Sequence, residues 1–184
     1  MRSPSHPIGC SAVGYHEAEH GSERVPRNFD DRLIEFSRAV RESTLKRLRR
    51  VPPGYESWRI TPRALSFADV AGHLVDADEW LAAKLADPAL EPMVAAAGTV
   101  RIDERRGYEE LLGRLAAAGE RRAELLAGLD AEALAQPVFD RRFGGEVSVW
   151  WVVVRGNLDH EIHHRGQVAA YLRVLEDEGV TRQP

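Results

Sequence analysis

Apolar residues recur at every third or fourth position in four separate segments of this chain, a spacing that is typical of one face of an α-helix. The pattern predicts helices over residues 28–50, 66–86, 107–129 and 148–178. A helix that is apolar on one side must bury that side against a partner, and four such helices suit a bundle. The sequence therefore predicts an all-α fold, a four-helix bundle with long connections.

Residues that begin helices stand at the start of three of these segments. Asn28 precedes Asp31 by three positions, and Ser66 precedes Asp69 by the same interval, which is the spacing of a capping box. Ser148 can cap the last helix because its hydroxyl can accept a hydrogen bond from a free backbone N–H. These residues predict where three of the helices begin.

The connections contain residues that interrupt helices. Three prolines lie in residues 51–65, so this connection is expected to cross one end of the bundle. A second long link covers residues 87–106. Gly144 and Gly145 can form a tight hairpin turn before the last helix. The valines at 152–154 favour a strand and oppose the first turns of that helix.

The length and composition fit one domain preceded by a short arm. The chain has 184 residues, of which 43% are hydrophobic, so it can bury a core without disulfides or metal. Residues 1–27 are rich in Ser, Pro, Gly and His and lack any helical or strand period. We therefore expect a flexible N-terminal arm over 1–27 and a bundle domain over 28–184.

Charge and cysteine content exclude several classes of protein. A net charge of -4 and a pI near 6.0 oppose a role in binding nucleic acid. Cys10 is the only cysteine, so no disulfide can form within the chain, which suits a reducing cytoplasm. The apolar run at 147–154 is far shorter than the roughly 20 residues of a membrane span. We expect a cytoplasmic protein that binds neither membranes nor nucleic acid.

The segment "DHEIHHRGQ" (159–167) contains a histidine pair with metal-ligand spacing. His160 and His164 are four residues apart, so on a helix both can reach one cation. The same letters match the H-E-x-x-H pattern of zinc peptidases. "HEAEH" at 16–20 also matches that pattern, in a region where no helix is predicted, so the pattern alone decides nothing.

A polar stripe extends the histidine pair along the last predicted helix. Steps of three and four residues give Asn157, His160, His164, Gln167 and Tyr171 on one face. Each buried polar group without a partner costs about 1–3 kcal/mol, so this stripe predicts a wet cavity or a bound metal. We expect Asn157, Gln167 and Tyr171 to line the cavity.

A third ligand can come from the second helix. His73 is the only other histidine in a predicted helix, and its face continues through Asp76 or Ala77 to Trp80. Meeting across the bundle, three imidazoles would form a metal site with open coordination positions and Trp80 as an aromatic wall. A lone His73 could instead be a hydrogen-bonded core residue.

A zinc peptidase remains a minor alternative. Its third ligand normally follows the H-E-x-x-H pair, but only 20 residues follow His164, and Glu176 and Glu178 lie on the same helix as the pair. His163 points about 100° away from His164 and is expected outside the ligand set. Asp159 or Glu161 could orient a ligand, act as a base, or simply be solvated.

The segments "SFADVAGHLVDADEWL" (66–81) and "HEIHHRGQVAAYLRVL" (160–175) resemble the DinB-like (YfiT-like) superfamily of metal-binding four-helix bundles. The resemblance covers residues 28–178 and implies that His73, His160 and His164 are the metal ligands. It further implies a divalent metal, zinc or nickel, and frequent homodimers. Relatives include S-transferases that use a low-molecular-weight thiol (bacillithiol, mycothiol or glutathione) and a mycothiol-dependent maleylpyruvate isomerase.

Two functions therefore compete. One is a metal-dependent thiol S-transferase or hydrolase that acts on a small-molecule substrate. The other is a non-catalytic protein that binds a metal or an apolar ligand in stress or detoxification. An open cavity beside the metal favours the first, and a closed site favours the second. Arg59, Arg63 or Arg165 could hold a substrate carboxylate or form surface salt bridges.

Overall fold

Four long helices carry the fold in the computed structural model, which describes residues 29–91, 97–102 and 104–180. They are α1 (Phe29–Leu48), α2 (Phe67–Ala86), α3 (Arg105–Ala127) and a C-terminal helix formed by three consecutive segments. The predicted all-α bundle is confirmed. The expected arm at 1–27, with Cys10, and the Asn28 cap lie outside the described residues.

The C-terminal helix changes its winding before it reaches the histidines. It begins with α5 (Val149–Trp151), continues as a π-helical segment (Val152–Leu158) and ends as α6 (Asp159–Asp177). Ser148 caps it as predicted, because its Oγ accepts a hydrogen bond from the Trp151 N–H at 3.2 Å. A π-helix bonds residue i to i+5, so each of its turns is wider than an α-turn and rotates the following residues.

A short hairpin connects α3 to this helix. After α4 (Ala131–Ala135), strands β1 (Pro137–Asp140) and β2 (Gly145–Ser148) pair antiparallel, with Asp140 opposite Gly145. Residues 141–144 form the turn, and Gly144 closes it at φ 79°, a conformation that glycine adopts without steric cost. The hairpin predicted around Gly144 is confirmed, although the turn lies before Gly145.

The predicted capping box at the start of α2 is present and has a second role. Ser66 Oγ accepts from the Asp69 N–H, and Asp69 accepts from the Ser66 N–H, both at 3.0 Å. The Asp69 carboxylate also accepts from Arg59 at 2.7 Å and from the N–H groups of Gly98 and Val100 at 3.0 Å. Burial raises the pKa of Asp69, but these hydrogen bonds outweigh it and hold the pKa below its ordinary value. Asp69 thereby joins both long connections to α2.

The core consists of two apolar layers with an ionic layer between them. One apolar layer includes Leu48, Leu74 and Leu175, and the other includes Leu81 and Leu126. Between them, each long helix contributes one buried charged residue, and the four are Arg41, Asp78, Arg122 and Glu161. No helix of the described chain is both long enough and apolar enough to cross a membrane.

Candidate metal centre

Three histidines from two helices form a cluster. His73 lies on α2, and His160 and His164 lie one turn apart on α6. His160 Nε2 is 3.0 Å from His73 Nε2 and 2.9 Å from His164 Nε2. Each histidine offers one ring nitrogen, and the three nitrogens lie within 4.8 Å of one another. The structure thus brings together the three residues that the sequence selected.

A hydrogen bond to Gln167 sets the tautomer of neutral His164. Its Nδ1 lies 2.7 Å from Oε1 of Gln167, and Nε2 of the same amide lies 3.0 Å from His163 Nε2. Because the amide oxygen can only accept, Nδ1 carries the proton in this arrangement. The Nε2 atom of neutral His164 therefore presents a lone pair to the cluster.

Hydrogen bonds among the three imidazoles cannot satisfy the cluster. His160 Nε2 faces two ring nitrogens but has either one hydrogen or one lone pair. A cation instead accepts a lone pair from each nitrogen. Zinc–nitrogen bonds of about 2.0–2.1 Å separate two ligand nitrogens by about 3.0–3.4 Å, which is close to the distances of His160 Nε2 from the other two nitrogens. The cluster can hold a divalent metal, and imidazole suits zinc, nickel, copper and iron.

The pKa values of the three histidines favour the form that binds metal. Burial, followed by the charges of His164, His73 and Arg142, lowers the pKa of His160 to about 3. Burial lowers the pKa of His164 to about 4, although the Gln167 hydrogen bond opposes the shift. Burial also lowers the pKa of His73. All three imidazoles are neutral at pH 7, which is the state that a metal needs.

A cavity of about 600 Å³ opens from the cluster to solvent. Its walls combine aromatic, cationic and small side chains. Besides the three histidines, the lining residues are Ala77, Trp80, Arg142, Phe143, Arg155, Gly156, Asp159 and His163. Trp80 thus lies where the sequence placed an aromatic wall, and its indole N–H donates to the Glu91 carbonyl at 2.8 Å.

Three residues expected to line this cavity do not line it. The buried Asn157 amide accepts from Arg122 at 3.1 Å and donates to the Ala77 carbonyl at 3.2 Å, inside the ionic layer. Gln167 lies behind His164, and Tyr171 packs edge-on against Phe67 and Trp58. The prediction for Asn157 assumed a regular α-helix, whereas the π-helical segment rotates this residue away from the histidine face.

One member of the ionic layer lies next to the histidine cluster in sequence. Glu161 follows His160 directly and accepts from Arg41 at 2.9 Å and from Arg122 at 2.7 Å. Asp78 accepts from the same arginines at 2.7 and 2.9 Å. Burial would raise the pKa of Glu161, but the two arginines lower it to about 2. The four long helices are therefore linked by ion pairs that include Glu161, the residue next to His160.

This arrangement leaves the peptidase hypothesis without its base. In an H-E-x-x-H peptidase the glutamate acts beside the metal, but Glu161 is fully buried between arginines. Asp159 does face the cavity and pairs with Arg155. His163 is exposed and contacts the cluster through Gln167. The sequence left the roles of Asp159 and Glu161 open, and the structure separates them.

Arginine placement was not predictable from the sequence. Arg59 binds Asp69, and neither Arg63 nor Arg165 lines the histidine cavity. The cavity arginines are Arg142, in the hairpin turn, and Arg155, in the π-helical segment. The signal available for Arg142 was its position beside the Gly144 turn, just before the helix that contains His160 and His164.

Comparisons with known proteins agree with the all-α fold. The DinB superfamily matches residues 37–168 of the chain. A crystal structure of a DinB-like protein from Bacillus subtilis superposes with a TM-score of 0.59 at 18% identity, covering 83% of this chain and 95% of that one. At this identity the likeness shows the fold alone. No curated protein matches the chain.

Proposed function

The chain belongs to the DinB superfamily, and from that premise we propose that it is a metal-dependent enzyme acting on small molecules, a thiol S-transferase or a hydrolase. His73, His160 and His164 would hold zinc or nickel. The observation that carries the proposal is the convergence of three neutral ring nitrogens at the wall of an open cavity. When bound there, a divalent metal lowers the pKa of a thiol or water and stabilises the resulting anion.

The cavity walls indicate where the nucleophile comes from. No serine, threonine, cysteine or lysine is among the described lining residues. The single cysteine, Cys10, lies outside the described part of the chain. A low-molecular-weight thiol or a water molecule is therefore the nucleophile that this site favours, with no covalent intermediate on the protein required.

The other side chains of the cavity position the substrate and exclude water. Trp80 and Phe143 give the cavity apolar surface, and the Arg155–Asp159 pair lies at the same cavity. Gln167 holds the ring of His164 with its lone pair toward the cluster. The buried ionic layer fixes α2 and α6 against each other and so sets the separation of His73 from the other two histidines.

Metal content and turnover test the proposal together. Tag-free protein is expected to contain about one equivalent of zinc or nickel by mass spectrometry, or to take it up on addition. Loaded protein is then assayed with glutathione and 1-chloro-2,4-dinitrobenzene, where a carbon–sulfur bond forms, chloride leaves and the thiol proton passes to solvent. Hydrolysis is assayed with 4-nitrophenyl acetate.

The His73→Ala variant is the matched control for both assays. Turnover that depends on metal and disappears in the variant supports the enzyme. Metal binding without turnover across glutathione, bacillithiol and mycothiol favours the non-catalytic binding protein instead. A parent protein that neither contains nor takes up zinc or nickel excludes the metal site itself.

We also propose that the protein is a cytoplasmic homodimer. Among the described residues, Phe139 and Trp151 are large apolar side chains with exposures of 53% and 39%, and both lie at or next to the hairpin. A second copy of the chain could cover such residues. Light scattering of the purified protein is expected to give twice the mass of one chain, and a monomer would contradict the proposal.

A further inference from the structure

We propose that Arg142 makes the cavity a carboxylate-binding site, so that the substrate combines a carboxylate with an apolar or aromatic group. This inference rests on the proposed function, because it takes the histidine cavity as the substrate site. It adds the chemical class of the substrate and the residue that selects it.

Hydrogen bonds to Asp140 and Gly156 fix the position of the Arg142 guanidinium. Its Nη2 donates to Asp140 at 2.6 Å, and its Nε lies 3.1 and 3.2 Å from the two oxygens of the same carboxylate. Its Nη1 donates to the Gly156 carbonyl at 3.1 Å, in the π-helical segment. Asp140 is buried, and the Arg142 hydrogen bonds and charge lower its pKa despite that burial, so the pair is ionised.

Aromatic contact fixes the plane of the same group. The guanidinium carbon lies 4.2 Å from the ring centre of Trp80 and 5.5 Å from that of Phe143. Because residue 156 is glycine, the Arg142 guanidinium can lie close to the backbone of the π-helical segment. A Cβ at this position would lie 2.7 Å from Nη2 of Arg142. The orientation of Arg142 is therefore established before any ligand arrives, which lowers the entropic cost of binding.

Part of the guanidinium remains available to the cavity. An arginine side chain has five N–H donors, and the contacts to Asp140 and Gly156 use one on each of Nε, Nη1 and Nη2. Nη1 and Nη2 each retain one N–H that has no acceptor among the described residues. Arg142 lines the histidine cavity, so these donors belong to the wall that a small molecule would contact.

The charges around the cavity favour an anion as the occupant. Arg142 is balanced by Asp140, and Arg155 is balanced by Asp159. A divalent ion on the histidines would leave the cavity with an excess of positive charge. A carboxylate offset from the metal-binding atom would reduce this excess and accept directed hydrogen bonds from the guanidinium.

The apolar walls define the rest of the ligand. Trp80 and Phe143 flank Arg142 and present ring surface, while Ala77 and Gly156 leave space beside them. A ligand with an aryl or alkyl group next to its carboxylate can therefore pack against these rings while its carboxylate reaches Arg142. Phenylacetate has this combination, and phenylacetamide has the same shape without the charge.

Binding of these two probes tests the inference. Dissociation constants for phenylacetate and phenylacetamide are measured by ligand-observed NMR on protein stripped of metal by a chelator, and again after zinc loading. The parent is expected to bind phenylacetate at least about tenfold more tightly than phenylacetamide, because hydrogen bonds to a charged group are stronger. Zinc loading is expected to widen this difference.

Two variants separate recognition from a purely structural role. The Arg142→Met variant should bind both probes equally. Arg141 lies on the same turn, but its side chain is 76% exposed and pairs with Glu91. The Arg141→Met variant should therefore behave like the parent. If Arg142→Met fails to fold, Arg142→Lys keeps the charge without the fork and should lose most of the preference. Equal affinity of the parent for both probes, no binding of phenylacetate, or the same loss in Arg141→Met overturns the inference.

The metal-free measurement keeps this inference distinct from the proposed function. A preference for phenylacetate without metal uptake would support Arg142 and contradict the metal enzyme. Metal uptake and turnover without the preference would support the enzyme and contradict the role of Arg142.

Discussion

The Nδ1 atom of His164 lies 2.7 Å from the Oε1 atom of Gln167, and this contact sets which nitrogen of His164 faces His73 and His160. The other end of the same amide contacts His163 at 3.0 Å. An amide held at both ends has a defined orientation, so Gln167 can support a metal ligand without binding the metal itself.

Replacing Gln167 with leucine is expected to lower zinc affinity about 10–100-fold, because His164 loses the partner that fixes its tautomer and ring orientation. Chelator competition measures the affinity. The Gln167→Glu variant keeps an acceptor for Nδ1, so it should retain much of the zinc affinity of the parent. The exposed Gln136→Leu is the control, and an equal loss there would show that the effect is not specific to His164.

His160→Asn is expected to lose bound metal while the bundle stays folded. Neither the two apolar layers nor the ionic layer includes any of the three histidines, so folding should not depend on a metal bound to them. Metal content by mass spectrometry and cooperative urea unfolding are measured on the same sample. His163→Asn, which changes the exposed neighbour, should keep its metal. Loss of cooperative unfolding in His160→Asn would make the site structural.

Arg122→Met is expected to lower the free energy of unfolding by about 3–5 kcal/mol, since Asp78 and Glu161 lose a partner inside the core. Its neighbour Arg121 is 58% exposed and lies 3.7 Å from Glu79. Arg121→Met should therefore cost less than about 1 kcal/mol. Urea denaturation of both variants checks this difference, and similar losses would mean that the ionic layer contributes no more than a surface pair.

The stability of metal-free protein is expected to fall as the pH drops below about 6.5. The unfolded chain takes up protons on histidine near that pH, whereas burial holds the folded pKa of His164 to about 4 and that of His160 to about 3. Each such histidine contributes a slope of up to about 1.4 kcal/mol per pH unit between these limits and none above pH 6.5.

Urea unfolding at pH 7, 6 and 5 measures that slope. His160→Asn removes one of the groups, so its stability should fall less steeply than that of the parent. Zinc-loaded parent should lose metal across the same range, because protons compete with the metal for the ring nitrogens. Parallel slopes for the parent and His160→Asn would show that His160 is not held neutral by the fold.

Local patterns in the sequence were sufficient to predict several features of the structure. The capping box of Ser66 and Asp69 is a contact over three residues, and the His160–His164 pair needs only one turn of helix. Helical period placed α1, α2 and α3 within a few residues of their observed limits. Each of these features depends on neighbours in sequence, so the helix itself brings the partners together.

The π-helical segment could not be predicted from local sequence patterns. The valines at 152–154 oppose an ordinary α-helix, and the chain adopts wider turns there instead of a strand. As a result Asn157 lies in the ionic layer, whereas His160 and His164 remain on the cavity side. A change of winding moves every later residue around the helix axis, and no spacing rule that assumes one period can include it.

The sequence by itself determined the four helical segments, the caps at Ser66 and Ser148 and the histidine pair, because these depend on contacts within a few residues. The tertiary structure decided which distant charges meet. Arg41 pairs with Glu161 across 120 positions, and Arg122 pairs with Asp78 across 44. The pairing of a buried charge depends on which helices pack together, and one sequence contains many arginines and carboxylates that could pair equally well until that packing is set.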